Sequence, residues 1–113
     1  MLNTAERRAF LSAGLQRQNV TFAIDQYCAF RFSEEAGEWG MAMYVSAKKH
    51  NPEILLKALQ KRFSEPLVYD GYYLCMSAEK QLMVWYPVKE NIHEQTMEQV
   101  FELMAALVDL PLA

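Results

Sequence analysis

The chain has 113 residues, 52% of them apolar and 22% charged, with a formal net charge of -3. That length accommodates one core and not two, so a single domain over residues 1–113 is expected, with the composition of a folded rather than a disordered or fibrous protein. Eleven basic and fourteen acidic side chains are intermixed, which leaves no basic stripe for phosphates and argues against a nucleic-acid partner.

No apolar run approaches the roughly 20 residues of a membrane span, and Met1–Arg8 lacks the pattern of a signal peptide. No membrane association and a cytoplasmic location are the expectation.

In chain order, Asn3 or Thr4 can cap a helix, with Glu6 three residues after Asn3, and Phe10, Leu11, Gly14 and Leu15 then recur at helical spacing. A first helix over about 4–16 follows. Val20, Phe22 and Ile24 alternate with polar or small residues as in a half-buried strand, and Tyr27 to Phe32 reads as a second strand with Cys28, Phe30 and Phe32 on one side. The polar stretch Ser33–Glu38 separates this from Trp39 to Val45, where Trp39, Met41, Met43 and Val45 alternate, making a hairpin.

Asn51-Pro52-Glu53 is a compact helix start, and Leu55, Leu59 and Phe63, with Ile54 and Ala58 beside them, form an apolar stripe that ends before Pro66. The spacing predicts a second helix over about 52–64. Leu67 to Met76 and Gln81 to Val88 read as a second hairpin, rich in Tyr, Val and Trp. Asn91, with Glu94 three residues on, then opens a helix over about 92–109, carried by Met97, Val100, Phe101, Met104, Leu107 and Val108. The predicted order is α-β-β-β-α-β-β-α, an α+β fold with one antiparallel sheet and helices packed against it.

Little in this sequence points to catalysis. There is no G-x-S-x-G motif, no Gly-rich phosphate loop among Gly14, Gly37, Gly40 and Gly71, and no CxxC. His50 and His93 flank helix starts in polar surroundings, and Glu34, Glu35 and Glu38 read as a solvated hairpin turn rather than a cation or acid-base site. Cys28 and Cys75 lie in apolar stretches and read as buried reduced thiols. No catalytic residue, cofactor or metal is assigned.

The supply of large apolar side chains is high: six Phe, six Tyr, two Trp and seven Met. A one-layer sheet covered by helices on one side leaves its other side open, so part of this bulk is expected to meet another protein. The methionines, Met41 and Met43 above all, could add adaptable contact surface.

The arrangement of an opening helix to Leu15, three strands to Val45, the Asn51-Pro52 helix, the Tyr72 to Tyr86 hairpin and an amphipathic last helix resembles the class I type III secretion chaperones of the CesT and SycE type. Glu6-Arg7-Arg8-Ala9-Phe10, and Phe32-Ser33-Glu34-Glu35 with Gly37-Glu38-Trp39-Gly40, are similar to the branch of small secretion regulators of the HrpG and HrpV type.

The resemblance implies a non-catalytic chaperone or regulatory partner, bound to a secreted effector or a secretion regulator. It also implies a homodimer, or a heterodimer with a like-folded protein. An anti-activator that sequesters a transcriptional regulator is the alternative, and a small ligand-binding domain or enzyme the outsider. For the client, an apolar surface of Phe10, Leu15, Phe22, Ile24, Phe30 and Phe32 is expected, taking an extended strand at a sheet edge. For the dimer, Ile54, Leu55, Leu59, Tyr72 and Leu74 are expected, since edge strands bearing Tyr and Leu are best covered.

Overall fold

The computed structural model describes residues 2–4, 6–46, 48 and 53–110. The predicted order is present with one strand added ahead of it: β1 (Leu2–Thr4), α1 (Arg7–Leu15), β2 (Val20–Asp25), β3 (Cys28–Glu35), β4 (Glu38–Val45), α2 (Ile54–Ser64), β5 (Tyr73–Met76), β6 (Leu82–Pro87) and α3 (Glu94–Leu107). The sheet runs β1-β2-β3-β4-β6-β5. The pairs from β2 to β6 are antiparallel, and β1 joins the β2 edge in parallel.

Register and burial define the layers. One sheet side aligns Val20, Phe32, Met41 and Tyr86 in one row, and Phe22, Phe30, Met43, Val84 and Leu74 in the next. Onto this side fold Phe10 from α1 and Phe101 from α3: the Phe30 and Phe101 rings stack at 4.1 Å, and Phe10 lies 4.6 Å from Phe32. Gly14 lets α1 come close, because a Cβ there would lie 2.3 Å from the Phe32 ring. Arg7 ties α1 to α3, over the Phe101 ring at 4.6 Å and paired with Glu98 and Glu102.

Several sequence expectations are corrected here. Asn3 and Thr4 lie in a strand rather than capping α1; the N-cap is Glu6, whose amide donates to Thr4 Oγ1 at 3.2 Å. The cap of α3 is His93, not Asn91. The Ser33–Glu38 loop is mostly strand, because Ala36 and Gly37 both take positive φ, 53° and 84°, and close the hairpin in two residues.

Leu67 to Tyr72 is a chain of turns, with Tyr69 N–H donating to Glu65 O and Tyr72 N–H to Tyr69 O, and Gly71 at φ 85°. Met41 and Met43 are fully buried, since both face the helices. Cys28 is buried but Cys75 is exposed, on the opposite side of the sheet at the β5 edge. The expected cap Asn51-Pro52 and His50 lie outside the described residues.

Candidate protein-binding surface

The residues expected to receive a client are mostly core. Phe10, Phe30 and Phe32 have no exposed surface, and Phe22 and Ile24 are partly buried against the same cluster. The physical reason is their parity: these strand positions face the side that α1 and α3 cover, so their rings pack on one another. Only Leu15, at the end of α1, counts among the exposed large apolar residues.

The apolar surface lies at the other end of the sheet, on α2 and the turns that follow it. α2 carries two apolar stripes. Leu55 and Ala58, with Ile54, turn toward the protein, and Ala58 is the helix's single buried residue. Leu56, Leu59 and Phe63, spaced i, i+3 and i+7, turn outward and are 56%, 44% and 88% exposed. Leu67, 93% exposed, and Val68 in the turns after α2, and Tyr73 at the start of β5, are exposed as well. Isolated exposed apolar residues are ordinary, but six large ones within residues 56–73 are the pattern of an interaction surface.

Since α2 buries so little, polar ties hold it. Lys61 Nζ donates to Ala106 O at 2.6 Å and to Asp109 Oδ1 at 2.9 Å, at the C-terminal end of α3, where a cation is favoured by the helix dipole. Its bond to Asp109 raises the Lys61 pKa. Next to it, Arg62 Nε donates to Tyr72 O at 2.8 Å. A cleft of about 220 Å³ opens there, lined by Leu59, Arg62, Tyr72, Tyr73 and Leu74.

The structure thus brings together three of the five residues expected at a dimer contact: Leu59, Tyr72 and Leu74. Ile54 and Leu55 lie behind them, partly buried against the core. Tyr72 itself is buried on Tyr69 and Tyr86, with ring centroids at 5.9 and 4.6 Å. Burial, helped by those two phenols, pushes its hydroxyl well above the ordinary tyrosine range.

The sheet's other side carries Tyr44, Met83 and Trp85, with no covering helix among the described residues, and a Cβ on Gly40 of β4 would come within 2.4 Å of the Trp85 ring. Among the described residues, no three His, Cys, Asp or Glu side chains gather to hold a metal ion, and no helix is long and apolar enough to cross a membrane.

A family model described as HrpV-like matches residues 3–111. The chain belongs to the HrpV-like family. That family is associated with type III secretion. Neither curated proteins nor solved structures give a match.

In this HrpV-like chain the matched span includes the whole α2–β5 patch. The sequence reading does not single out Leu56, Leu67, Val68 and Tyr73 as surface residues, and it puts Phe63 on one apolar stripe with Leu55 and Leu59, which the structure divides between two sides of α2. A signal was present: Leu56 falls off the Leu55/Ala58 stripe, and with Leu59 and Phe63 makes a second one. A short helix with two apolar stripes cannot bury both against one sheet.

Proposed function

We propose that this HrpV-like chain is a non-catalytic, protein-binding component of a type III secretion system, a regulator or chaperone-like partner that works through the α2–β5 surface. The observation that carries this reading is the run of outward apolar side chains Leu56, Leu59, Phe63, Leu67, Val68 and Tyr73 on one border of the fold. The proposed occupant is a like-folded chain, either a second copy or a related protein.

Two features support such an occupant. β5 is an edge strand of four residues beside α2, and an edge next to an apolar helix is best covered by another chain. The Leu59–Arg62–Tyr72 cleft is a concave seat for an apolar side chain. The element order from α1 onward, like that of the class I secretion chaperones, agrees with a dimer. Family membership favours regulation within the cytoplasm, including sequestration of a transcriptional activator, over effector delivery.

The reading is tested by light scattering on the purified chain at tens of micromolar, beside capture of secretion-system proteins by the immobilised chain. A dimer, or a stable complex with a like-folded protein or regulator, is expected, and Phe63→Asp should weaken it by about tenfold or more, in the range of interface hot spots. A monomer that captures nothing would overturn it.

A further inference from the structure

The hold of α2 on the rest of the domain is slight. Of its eleven residues only Ala58 is buried, and Ile54 and Leu55 pack partly on the core. An element with so few buried apolar contacts opens before the rest of a fold does. Its pose depends on the two cations of its last turn, which reach different neighbours. Arg62 Nε donates to Tyr72 O, in the segment that α2 itself leads into. Lys61 Nζ instead reaches α3, 45 and 48 residues away in sequence, at Ala106 O and Asp109 Oδ1.

The far end of that reach is a helix stop with an uncommon residue in it. After the C-cap Val108, Leu110 N–H donates to Ala105 O at 2.8 Å and Asp109 N–H to Ala106 O at 3.1 Å. That pair of bonds is the stop in which glycine ordinarily holds the left-handed position. Here the position belongs to Asp109, at φ 55°. Glycine would adopt the same backbone with less strain. The stop uses main-chain groups alone, so the Asp109 carboxylate is spare for Lys61, which it receives at 2.9 Å. An exposed ion pair by itself contributes little, but the ammonium is fixed by a second acceptor, the Ala106 carbonyl, at 2.6 Å.

We propose that Lys61 and Asp109 form a latch that holds α2 in its docked pose, and that Asp109 occupies a glycine position for this purpose and not for the stability of α3. With the latch shut, Leu56, Leu59 and Phe63 stand in fixed array on one border of the fold. With it open, α2 lifts as a unit while α1, α3 and the sheet stay folded, and the array is lost. Both are positioning residues, acting on a partner through α2. This inference rests on the reading that α2 carries the binding surface, but the latch is read in the chain alone, so the two can fail separately.

Amide exchange of the full chain tests the latch in Asp109→Gly, Lys61→Met and the two combined. Loss of a charge-assisted hydrogen bond is expected to speed exchange in α2 by about tenfold in each single variant. In Asp109→Gly, relief of the left-handed residue offsets the lost bond for the domain as a whole. Amides around Phe101 should therefore exchange no faster than in the parent, and the melting temperature should not fall. The combined variant should open α2 no further than Lys61→Met does, because both substitutions remove the same contact. Self-association seen in the parent by light scattering should weaken by about tenfold in Asp109→Gly, a loss of partner binding without loss of stability.

Unchanged α2 exchange in Asp109→Gly, or a rise matched around Phe101, would overturn the proposal, as would additive effects in the combined variant. The exchange contrast in a parent that neither self-associates nor captures a protein would support the latch and count against the binding reading alone.

Discussion

Five phenylalanines, Phe10, Phe22, Phe30, Phe32 and Phe101, pack on one another between α1, α3 and the sheet, with ring centroids 4.1 to 6.2 Å apart. At the far border, Leu56, Leu59, Phe63, Leu67 and Val68 are as apolar and stand in solvent. The two groups are alike in residue type and in helical or strand spacing. What separates them is supply of a second layer: α1 packs on β1, β2 and α3 on the helix-bearing side of the sheet, while α2 packs chiefly on α3 and β5 and leaves Leu56, Leu59 and Phe63 in solvent. Apolar periodicity identifies which residues share a face; it does not say whether the fold provides a partner for that face.

The sharpest way to break this contrast is a charge in each region. Phe30→Asp places an unpaired carboxylate in the ring cluster and should cost about 4 kcal/mol or more, enough to abolish cooperative unfolding in a marginally stable domain. A folded, cooperative Phe30→Asp variant in a thermal melt would show that the ring cluster is not the core.

A smaller loss is expected at Gly14→Ala. Its added methyl meets the fully buried Phe32 ring at 2.3 to 2.6 Å, and the overpacking outweighs the roughly 1 kcal/mol that alanine contributes to a helix. A net destabilisation of about 1–2 kcal/mol by urea unfolding is expected; a stabilised variant would mean that α1 sits farther from the sheet.

Tyr72 probes the seam between the two regions. Its proton is held more tightly in the folded chain than in the unfolded one, whose phenols ionise near the ordinary value of 10.0. Stability from this group is therefore intact below about pH 10 and is lost as pH rises beyond it. Tyr44, Tyr69 and Lys61, also shifted upward, act in the same direction. Melting temperatures should stay level up to about pH 10 and then fall, and Tyr72→Phe should flatten part of that fall. An unchanged alkaline slope in Tyr72→Phe would place the ring in water.

The smallest stability effect belongs to Phe63→Asp, within about 0.5 kcal/mol by thermal melt, because the side chain it replaces is already in solvent. A loss comparable to that of Phe30→Asp would mean that Phe63 packs inside the domain.

Much of the fold is legible in the sequence. The strands at Val20, Phe30 and Met41 and the helix around Phe101 follow from period and turn chemistry, and the predicted dimer residues Leu59, Tyr72 and Leu74 do meet at one cleft. β1 is hidden because three residues carry no period, and its Asn3-Thr4 pair mimics a helix cap. The turns from Glu65 to Tyr72 are obscured by Val68, Tyr69 and Tyr72, although Asp70-Gly71 is a turn signal. Phe10, Phe30 and Phe32 are core rather than surface for a physical reason: they lie on the side of the sheet that two helices cover, and alternation alone cannot tell the covered side from the bare one.

The claim that α2 carries the binding surface is tested most directly by photo-crosslinking in the native cell, with the photoreactive benzoylphenylalanine in place of Phe63 and, separately, of Trp85 on the uncovered side of the sheet. The account predicts a discrete adduct from position 63, to a second copy or to a like-folded or regulatory protein of the secretion system, and little from position 85. An adduct from position 85 with none from position 63 would contradict it.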